Sequence, residues 1–174
     1  MRNLSARADV LMENFRPGVM ERLELSAESL MAENPRLIYC AISGYGQDGP
    51  MAQRPAYDHV VQAVSGMMVI NSDNRGEPWR IGFPIIDYVA GQSAAFAISS
   101  ALFQRERTGR GQVIDVAMLD TAVAIMAPAL ASYLQGITPP PRTGGLAASG
   151  SPVSYTHLRA HETSLHLVCR LLLE

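Results

Sequence analysis

The chain has little from which to build cross-links: its two cysteines, Cys40 and Cys169, stand far apart in 174 residues. That excludes a disulfide framework and makes a reducing cytosol the expected compartment. No uninterrupted apolar run approaches the roughly 18 residues that suggest a membrane span. The amino terminus, MRNLSARADVLMENF, lacks the continuous apolar centre of a secretory signal. A formal net charge of −2 and the absence of any arginine or lysine cluster leave no footprint for nucleic acid. What remains is ordinary for a soluble globular protein: 48% hydrophobic and 17% charged residues, in a length that fits one domain with a real core.

Strand and helix signals alternate along the chain. Val10–Phe15 reads as a short buried strand, broken by Pro17-Gly18, with one helical turn over Val19–Leu23. Ser26 is placed to cap a helix Ala27–Glu33, which Asn34-Pro35 closes, because a residue before proline is pushed out of the α region. Arg36–Ser43 is the next strand, and Cys40 within it reads as a small buried residue. Tyr57–Met68 has helical spacing, and Asn71–Glu77 is a polar turn leading to an extended piece through Trp79. A long helix from Ile86 to Arg107 stops at Thr108-Gly109, and its centre, GQSAAFAISSA, is small enough for close packing. Gln112–Met118 is a strand, and Asp120 is expected to cap a helix Thr121–Leu134. This alternation predicts an α/β layered sheet with parallel pairs. Pro139-Pro140-Pro141 and Gly144, Gly145 and Gly150 mark a linker.

The stretch SGYGQDGP, residues 43–50, spells G-x-G-x-x-G through Gly44, Gly46 and Gly49. A dinucleotide turn needs a helix directly after the last glycine, so that the pyrophosphate rests on free N–H groups. Here Pro50 to Pro55 follow, and no helical pattern begins before about Tyr57. The stretch is therefore expected to be a loop at the carboxyl end of a strand, a candidate wall of a binding crevice.

Asp87, in FPIIDYVAGQ, stands at the amino end of the long helix, where unpaired N–H groups and the dipole favour an ionised carboxylate. It reads either as a capping aspartate or as a carboxylate nucleophile beside the apolar wall of Phe83, Ile85 and Ile86. Asp58 and Asp120 read as caps, and Asp115 as pointing outward or meeting a basic residue. Arg16 and Arg22 flank a strand end, solvated or set for phosphate. Met67, Met68 and Trp79 read as core.

The last segment, SPVSYTHLRAHETSLHLVCRLLLE (151–174), differs in character and resembles the translated adapter tails of metagenomic reading frames. It is read as a non-native tail from near residue 153, leaving a domain over 1–150. His157 and His161 lie four apart in it, but no glutamate follows the first histidine, so no metal site is expected.

Five stretches, ADVLMENFRPGVMERL, ENPRLIYCAISGYGQDGP, RPAYDHVVQAVSG, IIDYVAG and RTGRGQVIDVAML, resemble in order and spacing the class III coenzyme A-transferases, the family of formyl-CoA and carnitine CoA-transferases. The resemblance runs from about residue 8 to about 150. It implies an open Rossmann-like α/β domain with a parallel sheet and flanking helices, part of a fold whose two chains interlock as a homodimer. It implies that Asp87 attacks an acyl-CoA thioester, giving a mixed anhydride and free CoA thiolate, with CoA passing through aspartyl intermediates to an acceptor carboxylate. Asn14, Phe15, Arg16 and Arg22 would bind coenzyme A, Tyr57 would sit near the pantetheine end, and no metal is implied. Arginines suit the phosphates through paired donors. Relative to the family pattern the chain lacks the first strands and the second domain, which implies an inactive binding or dimerisation remnant as one alternative. The other is a 2-methylacyl-CoA racemase, whose catalytic histidine falls at Tyr57. His59, two residues on, is expected to project about 200° away on a helix and so not to substitute.

Overall fold

The structure, a computed structural model, describes residues 1–72 and 76–136. The expected proline–glycine linker, the tail with its histidines and the tip of the polar turn at 73–75 lie outside the described residues.

Three parallel strands form one sheet in the order β1 (Val10–Glu13), β2 (Ile38–Ser43), β3 (Val113–Ala117). The central strand explains itself: IYCAIS is an almost unbroken apolar run, as a strand covered on both faces must be. Tyr39 and Ala41 join Met20, Leu30 and Leu37 in a buried cluster against α2 (Val19–Arg22) and α3 (Ala27–Glu33). Ile38 and Cys40, on the alternate face, are fully buried. On β3 the neighbours Ile114 and Val116 are buried while Val113 and Asp115 are exposed, so the long helix α6 (Ile85–Thr108) covers that second face.

Helix α3 starts where the sequence indicates, with Ser26 Oγ accepting from Ser29 N at 3.2 Å. Its end at Asn34 is held by the Asn34 side chain, which donates to Ser5 O in α1 (Arg2–Ser5) and to Ala8 O. Helix α6 is one residue longer at each end than its signals predict and stops at Gly109, whose φ of 72° is left-handed. Two residues later Gly111 enters β3 so close to β2 that a Cβ there would lie 1.9 Å from Leu37 O. The buried stripe of α6 is Ile86, Ala90, Ala94, Ala101 and Arg105, with three alanines between its two large ends. Although no apolar run is long enough on its own, α6 spans 24 residues and is long and apolar enough by length and composition to cross a membrane.

Two expected helices divide. The Tyr57–Met68 pattern becomes α4 (Asp58–Val64) and α5 (Met67–Ile70), parted at Ser65-Gly66. The Thr121–Leu134 pattern becomes α7 (Met118–Ile125) and α8 (Ala127–Leu134). Because α7 begins at Met118, Asp120 lies inside its first turn rather than at its cap, which is Ala117. These breaks coincide with a division of the described residues into compact units, residues 1–65 with 82–126 and residues 66–72 and 76–81 with 127–136. The second unit holds α5 and α8, and Trp79 N donates to Met68 O within it. The sheet lies wholly in the first unit.

Candidate active site

The carboxyl ends of parallel strands leave a crevice where ligands bind in open α/β sheets. A cavity of about 660 Å³ opens there, lined from β1's end by Asn14 to Pro17, from β2's end by Ile42 to Gly44, and from α6 by Asp87, Ala90 and Gly91. Ala52, Arg54, Ala56, Tyr57, Asp58, His59 and Met118 complete the wall. Five of the six residues proposed from the resemblance, Asn14, Phe15, Arg16, Tyr57 and Asp87, therefore meet at one cavity. Arg22 does not: it ends α2 on the exposed surface, outside the lining.

Local chemistry explains the arrangement. Glu13 closes β1 and folds its carboxylate back, so that Phe15 N donates to Oε2 at 2.7 Å. Burial pushes the Glu13 carboxyl above its ordinary range, with the Phe15 N–H pulling the other way. This turn delivers Asn14, Phe15 and Arg16 to the cavity. After β2, Ser43 Oγ accepts from Gly46 N and Asp115 Oδ2 accepts from Gln47 N at 2.9 Å. Asp115 thus meets a loop amide, not a basic side chain. Gly46 and Gly49 are left-handed, with φ of 88° and 99°, and the next helix after them starts only at Asp58. The dinucleotide spelling is a loop, and its first residues, Ser43 and Gly44, wall the cavity. Gly44 also packs on Ala56, where a Cβ on Gly44 would fall 2.1 Å from Ala56 Cβ.

The amino end of α6 is capped by a residue from another helix. Asp58 Oδ2 accepts from Ile86 N at 2.7 Å and from Asp87 N at 3.2 Å, while Asp58 Oδ1 accepts from the buried Gln62 side chain. Asp58 is a cap, as expected, but of α6 rather than of its own α4. Asp87 is consequently not the capping aspartate. Nor does the helix end favour its charge: desolvation, and then the neighbouring Asp58 carboxylate, push its pKa above 3.8. The local N–H donors that would have stabilised it are already engaged by Asp58.

His59 also corrects an expectation. Tyr57 stands before α4 with φ −138° and ψ 161°, an extended conformation, so the helical angle between positions 57 and 59 does not apply. The two rings stack, with centroids 6.0 Å apart and planes at 3°, and both line the cavity. Arg54, His59 and the cross-helix role of Asp58 escaped the sequence reading. Arg54 is a lone arginine before a proline, and Asp58 has the same local signal as a cap of its own helix.

The lining suits an acyl-nucleotide: two arginines for anionic groups, stacked rings and a phenyl for apolar surface, and one carboxylate with raised basicity. Among the described residues no group of three or more His, Cys, Asp or Glu side chains is arranged to hold a metal.

The model of CoA-transferase family III matches residues 1–170. Acetyl-CoA:oxalate CoA-transferase of Acetobacter aceti is 48% identical over 139 residues, 79% of this chain and 36% of that protein. Succinate–glutarate CoA-transferase of Agrobacterium fabrum is 40% identical over 152 residues, 87% of this chain and 38% of that protein. The crystal structure of a CAIB/BAIF family protein from Brucella suis matches with a TM-score of 0.78 and 42% identity, covering 81% of this chain and 37% of that one. This chain thus spans little more than a third of each of these three relatives.

Proposed function

Since the chain belongs to CoA-transferase family III, we propose that the protein it represents moves coenzyme A from an acyl-CoA thioester to a carboxylic acid, with Asp87 as nucleophile. The observation that carries this reading is the meeting of Asp87 with Asn14, Phe15, Arg16 and Tyr57 around one cavity at the sheet's carboxyl end. In the first step an Asp87 oxygen attacks the thioester carbonyl, the C–S bond breaks, and a mixed anhydride and CoA thiolate result. The thiolate then attacks the Asp87 carbonyl, releasing the donor acid and leaving an aspartyl-CoA thioester. The acceptor carboxylate attacks this thioester to form a second anhydride and free thiolate again. Attack of that thiolate on the acceptor carbonyl gives the new acyl-CoA and restores Asp87. The raised pKa suits the role, because a more basic carboxylate is the stronger nucleophile once ionised.

Arg16 and Arg54, which both line the cavity, are assigned to the phosphates of the nucleotide, and Phe15 and Tyr57 to its apolar stretches. An open Rossmann-like domain within an interlocked homodimer is the assembly this reading expects. The exposed Phe96, Tyr88 and Phe103 on α6 support a partner for that helix. A reducing cytosol suits Cys40, a buried free thiol whose pKa burial raises.

The test uses the complete gene product, incubated with candidate acyl-CoAs and quenched with hydroxylamine or borohydride. Mass spectrometry is expected to find the modification at Asp87. Deuterium entering the α-carbon without CoA exchange would instead favour racemase chemistry, and an unmodified Asp87 during rapid exchange would overturn the nucleophile.

A further inference from the structure

We propose that Asp58 is the positioning residue for Asp87: a carboxylate lent by α4 closes the amino end of α6 and fixes how the Asp87 side chain enters the cavity. The inference rests on the reading of Asp87 as nucleophile. The geometry is a bracket between two helices. Asp58 Oδ2 takes both Ile86 N and Asp87 N, and Oδ1 is held by Gln62, which is itself fully buried. Pro84, the residue at the helix cap, makes no side-chain hydrogen bond of its own, so the cap must come from elsewhere. Tyr57 and His59 flank Asp58 in sequence, and both line the cavity. One turn of chain thus sets two rings in the wall and holds the amino end of the helix that carries Asp87.

The bracket has an electrostatic consequence. Asp58 removes the amides that would otherwise draw a proton off Asp87, and adds a like charge next to it. The other charged or titratable groups that line the same cavity are Arg16 from the turn after β1, Arg54 and Tyr57 from the loop before α4, and His59 on α4. Burial raises the Asp87 pKa first, and Asp58 is the charged neighbour that raises it further. Asp58 is thus expected both to aim the Asp87 carboxylate and to keep it basic.

The experiment uses two variants of the complete gene product. Asp58→Asn keeps an oxygen that accepts from Ile86 N and Asp87 N but removes the charge. Carbon-13 titration of Asp87 should then move downward, and the acid limb of the pH profile for aspartyl-adduct formation should move with it. Asp58→Ala opens the bracket, and the rate of adduct formation should fall about 10²-fold, the loss expected from small misplacement of a reacting group. Asparagine should restore most of that rate at a pH where Asp87 is ionised. An unchanged Asp87 titration in Asp58→Asn, or wild-type adduct formation in Asp58→Ala, would overturn the proposal. If the alanine variant does not fold, the titration of the asparagine variant decides alone. If wild-type Asp87 never forms an adduct, the function fails instead, and the titration still reads whether Asp58 acts on Asp87.

Discussion

The two ends of α6 are built on opposite principles. At the carboxyl end, charges agree with the helix: Arg105 and Arg107 occupy the last turn, where cations oppose the dipole's negative end. The buried Arg105 guanidinium donates to Asp9 O, Arg36 O and Asp9 Oδ1, tying the helix to the starts of β1 and β2. Arg107 lies over the Phe103 ring at 4.2 Å, and Gly109 completes the stop. At the amino end two carboxylates crowd one turn, one of them capping the helix and the other left with a raised pKa. One end holds the fold, and the other gives up some stability to keep a basic group in a crevice. Such conflicts are expected where chemistry is done.

The largest effect that sharpens this contrast is at the amino end. Asp87→Ala in the complete gene product should lower CoA exchange by on the order of 10³-fold or more, since removal of a covalent nucleophile leaves only binding. Isotope exchange between labelled acid and acyl-CoA measures it, and full activity would break the comparison outright. Gly111→Ala comes next, just past the carboxyl end. Its Cβ would meet Leu37 O at 1.9 Å, and the backbone must shift at a cost of about 3 kcal/mol in unfolding free energy. Chemical denaturation would show it, and a neutral result would mean that the sheet edge yields freely.

Arg105→Met should cost about 2–3 kcal/mol, because it strips charged hydrogen bonds from two carbonyls while keeping most of the side-chain volume. Adduct formation per folded molecule should not change, so a loss of chemistry without a loss of stability would contradict the division of labour. The smallest effect has the opposite sign. The folded-state pKa of Asp87 lies above its unfolded value, so the fold binds the extra proton and loses stability as pH rises through the folded pKa. Asp87→Asn should therefore raise the melting temperature slightly near neutral pH. The difference should vanish below the ordinary carboxylate range near 3.8, where both side chains are neutral.

Much of this fold was legible in the chain. The β2 run, the Ser26 cap, the proline-closed α3 and the glycine stop of α6 follow from local chemistry, and each appears within two residues of its expected place. The helices that divided, at Ser65-Gly66 and at Met126, did so where spacing alone carried no break signal. In the candidate site, that Asp87 and the turn after β1 reach one cavity follows from their places at a helix start and a strand end. Arg22 lies outside the cavity lining, a placement that depends on the chain's direction after Gly18 and has no local signal to part it from Arg16. The projection of His59 differs from a helical angle because Tyr57 before it is extended.

Local preferences within the chain, apolar periods, caps and breakers, determined by themselves which segments became strands and helices and drew attention to one aspartate at a helix start. Only the tertiary structure decided that the cap of that helix comes from Asp58, 28 residues earlier. A carboxylate bonded to N–H groups in its own turn and one bonded across a helix pair have the same local sequence. The difference is one of packing: where α4 meets α6, one free N–H end and two acids converge, and geometry alone settles which acid takes the amides and which is left with a raised pKa.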